Sequence, residues 1–305
     1  MALSSFVDVF KSGNMNHLGQ TWKSYDAAVS KFVFDGLSRM GYAEIRKPAS
    51  PLTRGKPLID SPTPLVTLII VYLTTVSCGF LSQKLKGPKK QKADPLWLRI
   101  LVQLHNVFLI GLSAYMSFTS AYCAWKHSYR FWGQGYSSSE KDMGWIIYVF
   151  FLSKIYEFMD TFIMLFKGKL EQVSFLHVYH HGSISAIWWA ICYGAPGGDA
   201  WYNAFLNSLV HVIMYTYYLL ATIIGKDAKK KKRYLWWGRY LTQFQIFQFV
   251  SMLVQAAYVW TVSPYPKFLS GLLFFYMISL LALFLNFYIK KHGGKSKSTP
   301  RKKMS

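Results

Sequence analysis

The sequence predicts an all-α, polytopic membrane protein with seven transmembrane helices, the second to seventh forming a ring. Three observations predict it. First, the 305 residues are 52% hydrophobic and 18% aromatic, too apolar for an ordinary soluble domain, yet they carry 35 Lys+Arg against 13 Asp+Glu. Apolar blocks separated by basic clusters are the mark of a chain that crosses a bilayer repeatedly. Second, seven segments reach the roughly 20 mostly apolar residues that a spanning helix needs. They lie near 64–82, 98–123, 144–166, 173–193, 201–224, 240–262 and 268–289. Third, polar residues from six of these segments fall at one depth, and polar groups in hydrocarbon must face an interior.

The connections carry the punctuation and the orientation. GPKKQKADP (87–95), GAPGGD (194–199), GKDAKKKKR (225–233) and SPYP (263–266) read as loops. Residues 83–99 hold six Lys/Arg, 225–239 seven and 290–305 seven, whereas 194–200 hold none and 263–267 only Lys267. The positive-inside rule then places the C-terminus in the cytosol and, with seven spans, the N-terminus across the membrane. Arg46, Lys47, Arg54 and Lys56 oppose this locally and are outvoted. Three regions follow: an N-terminal tail over 1–60, a seven-span domain over 61–290 and a basic tail over 291–305 ending in KKMS. Within the tail, Trp22 to Met40 reads either as an interfacial amphipathic helix or as mobile chain. No charged n-region precedes an apolar run, so no cleavable signal peptide is expected. Short basic runs between apolar segments argue against nucleic-acid binding. Cys78, Cys123 and Cys192 show no metal spacing; a Cys123–Cys192 bond is permitted but not required.

Ionisable groups inside a bilayer are expensive and point to function. The second span contains QLHN, with Gln103, His105 and Asn106. The third contains KIYEFMDT, in which Lys154, Glu157 and Asp160 are three apart and share a helix face. The fourth opens with HVYHH, bringing His177, His180 and His181 into five positions; His177 and His181 are four apart. The fifth carries Asn207, His211, Tyr215 and Tyr218, and the sixth Thr242, Gln245 and Gln248 at every third residue. The seventh ends with Asn286. The first span offers only hydroxyls and Cys78, so it belongs outside the ring. Helix–helix hydrogen bonding accounts for the Thr, Asn and Gln alone, but poorly for five histidines, two carboxylates and a lysine together.

Two chemistries suit clustered imidazoles. Histidines hold metals, and H-x-x-H-H resembles one box of the di-iron membrane desaturases and hydroxylases. No second box exists here, although three histidines with a water would hold one zinc. The alternative is acyl transfer, because an imidazole near its reference pKa of about 6.5 attacks thioesters or removes protons. No metal is expected on this reading. A seven-span lipid receptor or transporter is the non-enzymatic alternative.

KIYEFMDT, HVYHH, HVIMYTYY and TQFQIFQ, with QLHN upstream, resemble the ordered motifs of the ELO-type fatty acid elongases over about residues 60–290. The resemblance implies a 3-ketoacyl-CoA synthase of the endoplasmic reticulum that joins long-chain acyl-CoA to malonyl-CoA and releases CO2 and CoA. It needs no tightly bound cofactor, and it implies an acyl tunnel within the ring. The terminal KKMS resembles a dilysine retrieval signal. SPTPLVT (61–67), APGGDAW (195–201), YLWWGRYLTQFQIFQF (234–249) and YPKFLS (265–270) resemble polyunsaturated elongases of mosses and green algae, which extend delta-6-desaturated eighteen-carbon chains. Gly182 departs from the serine usual after the histidine box.

On that resemblance His180 accepts the acyl group, His211 steadies the intermediate or the malonyl enolate, and His177 and His181 orient or carry protons. Asp160 and Glu157 hold a histidine tautomer, and Lys154 pairs with Glu157. Gln103, Asn106, Asn207, Tyr215, Tyr218, Thr242, Gln245 and Gln248 face substrate. Lys167, Lys169, Lys229–Lys232, Arg233 and Arg239 meet the CoA phosphates, and Trp188 and Trp189 cap the tunnel. The expected partners are membrane lipids and the ketoacyl reductase, dehydratase and enoyl reductase of the elongation cycle; a homodimer stays open.

Overall fold

The computed structural model describes residues 14–86 and 94–293. The first residues of the N-terminal tail, most of the GPKKQKADP loop and the KKMS tail lie outside these described residues. Among the described residues ten α-helices run in order: α1 (Asn14–Arg39), α2 (Thr63–Lys86), α3 (Leu96–Lys126), α4 (Lys141–Tyr156), α5 (Phe158–Phe166), α6 (Phe175–Gly194), α7 (Ala200–Ile224), α8 (Ala228–Tyr234), α9 (Gly238–Val262) and α10 (Lys267–Gly293). The described residues contain no strand.

Among the described residues five helices, α2, α3, α7, α9 and α10, are long and apolar enough to cross a membrane. They make this a multi-pass membrane protein, and the expected third and fourth spans depart from their pattern. The expected third span breaks at Glu157 into α4 of 16 residues and α5 of 9. At the break Glu157 N still donates to Ser153 O at 2.9 Å, but Asp160 N donates to Glu157 O, three residues back, at 3.1 Å. That tightened turn ends one helix and opens the next. The expected fourth span is one helix, α6, of 20 residues. Its length suffices, but its histidines and serines interrupt the apolar run and it is not among the five.

Packing closes a circuit. α3 lies against α4 and α7, α4 against α6, α6 against α10, α10 against α9, and α9 against α7. These are the helices whose polar residues the sequence places at one depth. α2 stands outside and touches α5, α6 and α1. α3 and α7 run together over most of their length, α3 burying Ser113, Ser117 and Ser120 and α7 burying Ala204 and Ser208. Side chains this small let two backbones approach, which substitutes for the hydrophobic drive that lipid does not supply.

Residues 14–60 are built into the fold rather than trailing from it. α1 makes the stretch from Trp22 to Arg39 helical and packs it on the bundle. Asp26 accepts from Ser61 Oγ at 2.5 Å, and the Phe34 ring lies 6.3 Å from Trp189 and 5.7 Å from Tyr193. Trp22, Phe32 and Met40 face outward. The segment after α1 covers the C-terminal end of α6 and buries Ile45 and Ile59 completely. It also satisfies carbonyls that a helix end leaves open. Ser50 N donates to Tyr193 O at 2.7 Å and Thr53 Oγ1 to Cys192 O at 2.6 Å. In return Trp189 Nε1 donates to Ile59 O at 3.2 Å, and Tyr193 OH to Lys47 O at 2.8 Å. Trp189 therefore holds the N-terminal segment, while Trp188 alone of the expected pair lies on the ring's interior cavity.

One contact here is unusually close. A Cβ on Gly194 would sit 1.8 Å from Tyr42 Oη, while the Tyr42 ring is stacked 4.5 Å from Phe268. Gly194→Ala must displace that ring, and overpacking of this kind costs about 1–3 kcal/mol. The expected result is a lowered midpoint of thermal unfolding in detergent, with Gly36→Ala, where a Cβ meets nothing within 4 Å, as the unaffected control.

At the same end, Asp199 joins three loops. Its carboxylate accepts Gly133 N at 2.9 Å and Ser263 Oγ at 2.5 Å, and its own N donates to Gln134 O at 2.9 Å. Burial pushes its carboxyl above the ordinary range, and these hydrogen bonds pull against that shift. Nearby, Asp142 accepts from Lys126 Nζ and His127 Nε2, each at 2.7 Å. These two bonds, with one from Met143 N, outweigh partial burial and hold its carboxyl at about 2. Cys78, Cys123 and Cys192 are all free.

Candidate active site

The break at Glu157 serves the polar layer. Lys154, on the last turn of α4, and Glu157, at the break, are each 1% exposed and meet at 2.7 Å. Lys154 Nζ also donates to Asn207 Oδ1 on α7 at 2.9 Å and stands 4.3 Å from the Phe150 ring centroid. His211 Nδ1, one turn further along α7, lies 3.4 Å from Glu157 Oε1, within ion-pair range but off the hydrogen-bond direction. Glu157 Oε2 has no partner and is buried. The pairing of Lys154 with Glu157 is the one the three-residue spacing predicts.

Asp160, beyond the break on α5, ties three helices. Its carboxylate accepts Tyr215 OH from α7 at 2.7 Å and meets His105 Nε2 from α3 at 2.8 Å. His105 Nδ1 stands 3.3 Å from Tyr156 OH. Asp160 thus does hold a histidine, but the one it holds is His105 rather than a member of the HVYHH cluster. The QLHN motif was the available signal for His105, and the ordinary cost of a buried imidazole marks it.

The cluster on α6 splits by face. Ser174 caps the helix by accepting His177 N at 3.2 Å. His177 and His181 share a face, with ring centroids 4.3 Å apart, and His181 lies 5.2 Å from His180. His177 Nε2 meets Thr161 Oγ1 at 2.8 Å. His181 Nδ1 is buried without a partner. His180 instead lines a narrow cavity between α6, α7, α9 and α10, together with Trp188, Asn207, Gln248, Met252 and Leu280. A second narrow cavity continues along the same helices, sharing Asn203 and Leu273 with the first and reaching Asp199 and Tyr265. Between them Asn203 Nδ2 donates to Gln255 Oε1 at 3.0 Å, and Gln255 Nε2 to Asp199 O at 3.1 Å.

The remaining expected residues divide. Gln248 is buried on the cavity wall with only the Met252 sulfur, 3.6 Å away, as acceptor. Gln245 likewise donates to Met214 Sδ at 3.5 Å. Asn106 donates back to Val102 O at 2.8 Å, so its amide is spent within α3. Thr242 is buried, Gln103 half-buried and Tyr218 partly exposed, and none of the three makes a bond to this cluster. Lys167 is already paired, at 2.6 Å, with Asp94. Lys169 is half-buried, whereas Lys229–Lys232 on α8, Arg233 and Arg239 are exposed. The two arginines lie over neighbouring rings, Arg233 5.3 Å from Tyr234 and Arg239 4.6 Å from Tyr240. A Cβ on Gly182 would lie 4.0 Å from Tyr72 Cε1, ordinary contact, so the missing serine is not excluded by space. Among the described residues no three His, Cys, Asp or Glu side chains converge as a metal-ligand set.

Fold and site together define a class: a multi-pass helical membrane protein whose interior holds an imidazole–carboxylate cluster at the head of an apolar cavity. Residues 57–301 match the family described as ELO: GNS1/SUR4 family, and the chain belongs to that family. It is similar to a mouse (Mus musculus) protein described as very long chain fatty acid elongase 5, 37% identical over 274 residues, which cover 87% of this chain and 86% of the relative. The proteins of the same description from Tachysurus fulvidraco and Homo sapiens are 36% and 34% identical, covering 83% and 87% of this chain and 85% and 86% of those relatives.

Proposed function

We propose that this chain is the condensing enzyme of fatty acid elongation: it joins a long-chain acyl-CoA to malonyl-CoA and yields 3-ketoacyl-CoA, CO2 and CoA. The observation that carries the reading is His180 on the wall of an apolar cavity, with the amides of Asn207 and Gln248 beside it. Family membership and the elongase relatives support it. On this reading the acyl tail runs between α6, α7, α9 and α10 along the residues that line the two narrow cavities, and each methylene it buries contributes about 0.8 kcal/mol. With Lys167 engaged by Asp94, the CoA phosphates fall to Lys169, Lys229–Lys232, Arg233 and Arg239.

In the first half-reaction an imidazole nitrogen of His180 attacks the thioester carbon. The carbon–sulfur bond breaks, CoA leaves as the thiol after taking a proton, and the acyl group stays on the ring. Asn207 and Gln248 supply N–H donors for the oxygen that becomes negative. In the second, malonyl-CoA loses CO2; the electron pair left on its α-carbon attacks the acyl carbon, and His180 departs as the leaving group. His211 stands with Glu157 to steady the enolate, and His177 and His181 carry protons. The carbanion comes from decarboxylation, so no redox group takes part.

The finer substrate, a delta-6-desaturated eighteen-carbon acyl-CoA, rests on the four stretches quoted from 61–67, 195–201, 234–249 and 265–270. On the same reading the seven apolar segments cross the endoplasmic reticulum membrane with the C-terminus in the cytosol. The 3-keto product then requires a reductase, a dehydratase and an enoyl reductase as neighbours. Purified protein given labelled malonyl-CoA and a panel of acyl-CoAs is expected to form 3-keto products two carbons longer, best with polyunsaturated eighteen-carbon chains. Absence of label from every lengthened product overturns the condensation. An equal response across the panel overturns only the substrate preference.

A further inference from the structure

α2 stands outside the ring, yet one of its side chains reaches the histidines. Tyr72 is completely buried, its ring stacked 4.4 Å from Phe158 on α5. Its hydroxyl lies 3.1 Å from Thr161 Oγ1, and Thr161 Oγ1 lies 2.8 Å from His177 Nε2. Thr161 is completely buried too, so water completes neither hydroxyl. Three helices therefore meet in one chain: α2 through Tyr72, α5 through Thr161 and α6 through His177.

Proton counting gives this chain a direction. Each hydroxyl has one hydrogen, and the Tyr72 hydroxyl has Thr161 as its single hydrogen-bond partner. If His177 Nε2 carried the proton, it would donate to Thr161, Thr161 would donate to Tyr72, and the phenol O–H would point at no acceptor in a buried site. An unsatisfied buried donor is the costly arrangement. Reversed, both buried hydroxyl donors are used: Tyr72 donates to Thr161, Thr161 donates to Nε2, and the neutral ring keeps its hydrogen on Nδ1.

We infer that Tyr72 is a positioning residue for the histidine cluster: acting through Thr161, it fixes His177 as the tautomer whose exchangeable proton is on Nδ1. The inference rests on the reading of His177 as a proton carrier in the condensation. It makes the outlying helix part of the active machinery, since the hydroxyl that selects the working nitrogen comes from α2.

The test is a double-mutant cycle on the purified full chain, with acyl-CoA and malonyl-CoA as substrates. Tyr72→Phe removes one oxygen and keeps the ring on Phe158, and Thr161→Val removes the relay hydroxyl at nearly constant shape. Each is expected to lower kcat about tenfold, the scale of one buried hydrogen bond, with KM for acyl-CoA unchanged. The double variant is expected to be no slower than the single variants, because either change breaks the same chain. Thr161→Ser is expected to restore the rate, and unfolding midpoints report any general loss of structure. Tyr72→Phe at the wild-type kcat overturns the inference, as do losses that multiply in the double variant or a KM that rises while kcat holds. A wild-type chain that forms no condensation product overturns the functional reading and this inference with it. An active wild type beside an unaffected Tyr72→Phe overturns this inference alone.

Discussion

Lys154→Met will leave Glu157 as a carboxylate in an apolar interior with no ammonium beside it, and the protein is expected to lose most of its stability. Both partners are 1% exposed, and the nearest remaining group is His211 at 3.4 Å. Removing one member of a buried pair costs about 3–5 kcal/mol, against a total that is about 5–15 kcal/mol for a typical protein. Thermal unfolding of the detergent-solubilised protein, followed by monodispersity on gel filtration, measures it. The double variant Lys154→Met/Glu157→Gln removes the stranded charge and is expected to recover most of the loss. A single variant that unfolds at the wild-type temperature would show that Glu157 is held by something other than Lys154.

The second large effect is on chemistry. His180→Ala is expected to slow overall condensation on the order of 10³-fold or more, the scale seen when a nucleophile is deleted. Incubation with acyl-CoA alone separates the roles. The wild type should release CoA and retain acyl on the protein, His180→Ala should do neither, and His177→Ala should still acylate but turn over slowly. CoA release by His180→Ala at the wild-type rate would move the nucleophile to another residue.

Much of this organisation is written in the order of residues. Long apolar runs announce α2, α3, α7, α9 and α10 because a bilayer demands length and little else. The Lys154–Glu157 pair follows from their spacing. The break between α4 and α5 does not, because Phe158 through Phe166 is as apolar as a continuing helix would be. What ends α4 is tertiary: Glu157 is drawn toward Lys154 while Lys154 is drawn toward Asn207 on another helix. The same limit applies to Asp160. Spacing puts it beside Glu157, but only the packing of α3 selects His105 as its partner. Residues 42–60 read as a polar, turn-rich tail because their anchors are backbone carbonyls and two isolated isoleucines, which leave no periodic trace. Tyr72 reads as one hydroxyl among several on a span rightly placed outside the ring, and nothing in its neighbours shows that it reaches Thr161.

The docking of that early segment onto the end of α6 has a consequence for biogenesis. Thr53 bonds to the carbonyl of Cys192, 139 residues later in the chain. The ribosome delivers the donor long before the acceptor exists, so this stretch must wait, unpaired, while helices α2 to α6 are made. Such a distant closure is entropically slow. This early segment is therefore among the last to find its place, and a quality-control factor that samples unfinished copies would meet Ile45 and Ile59 still uncovered.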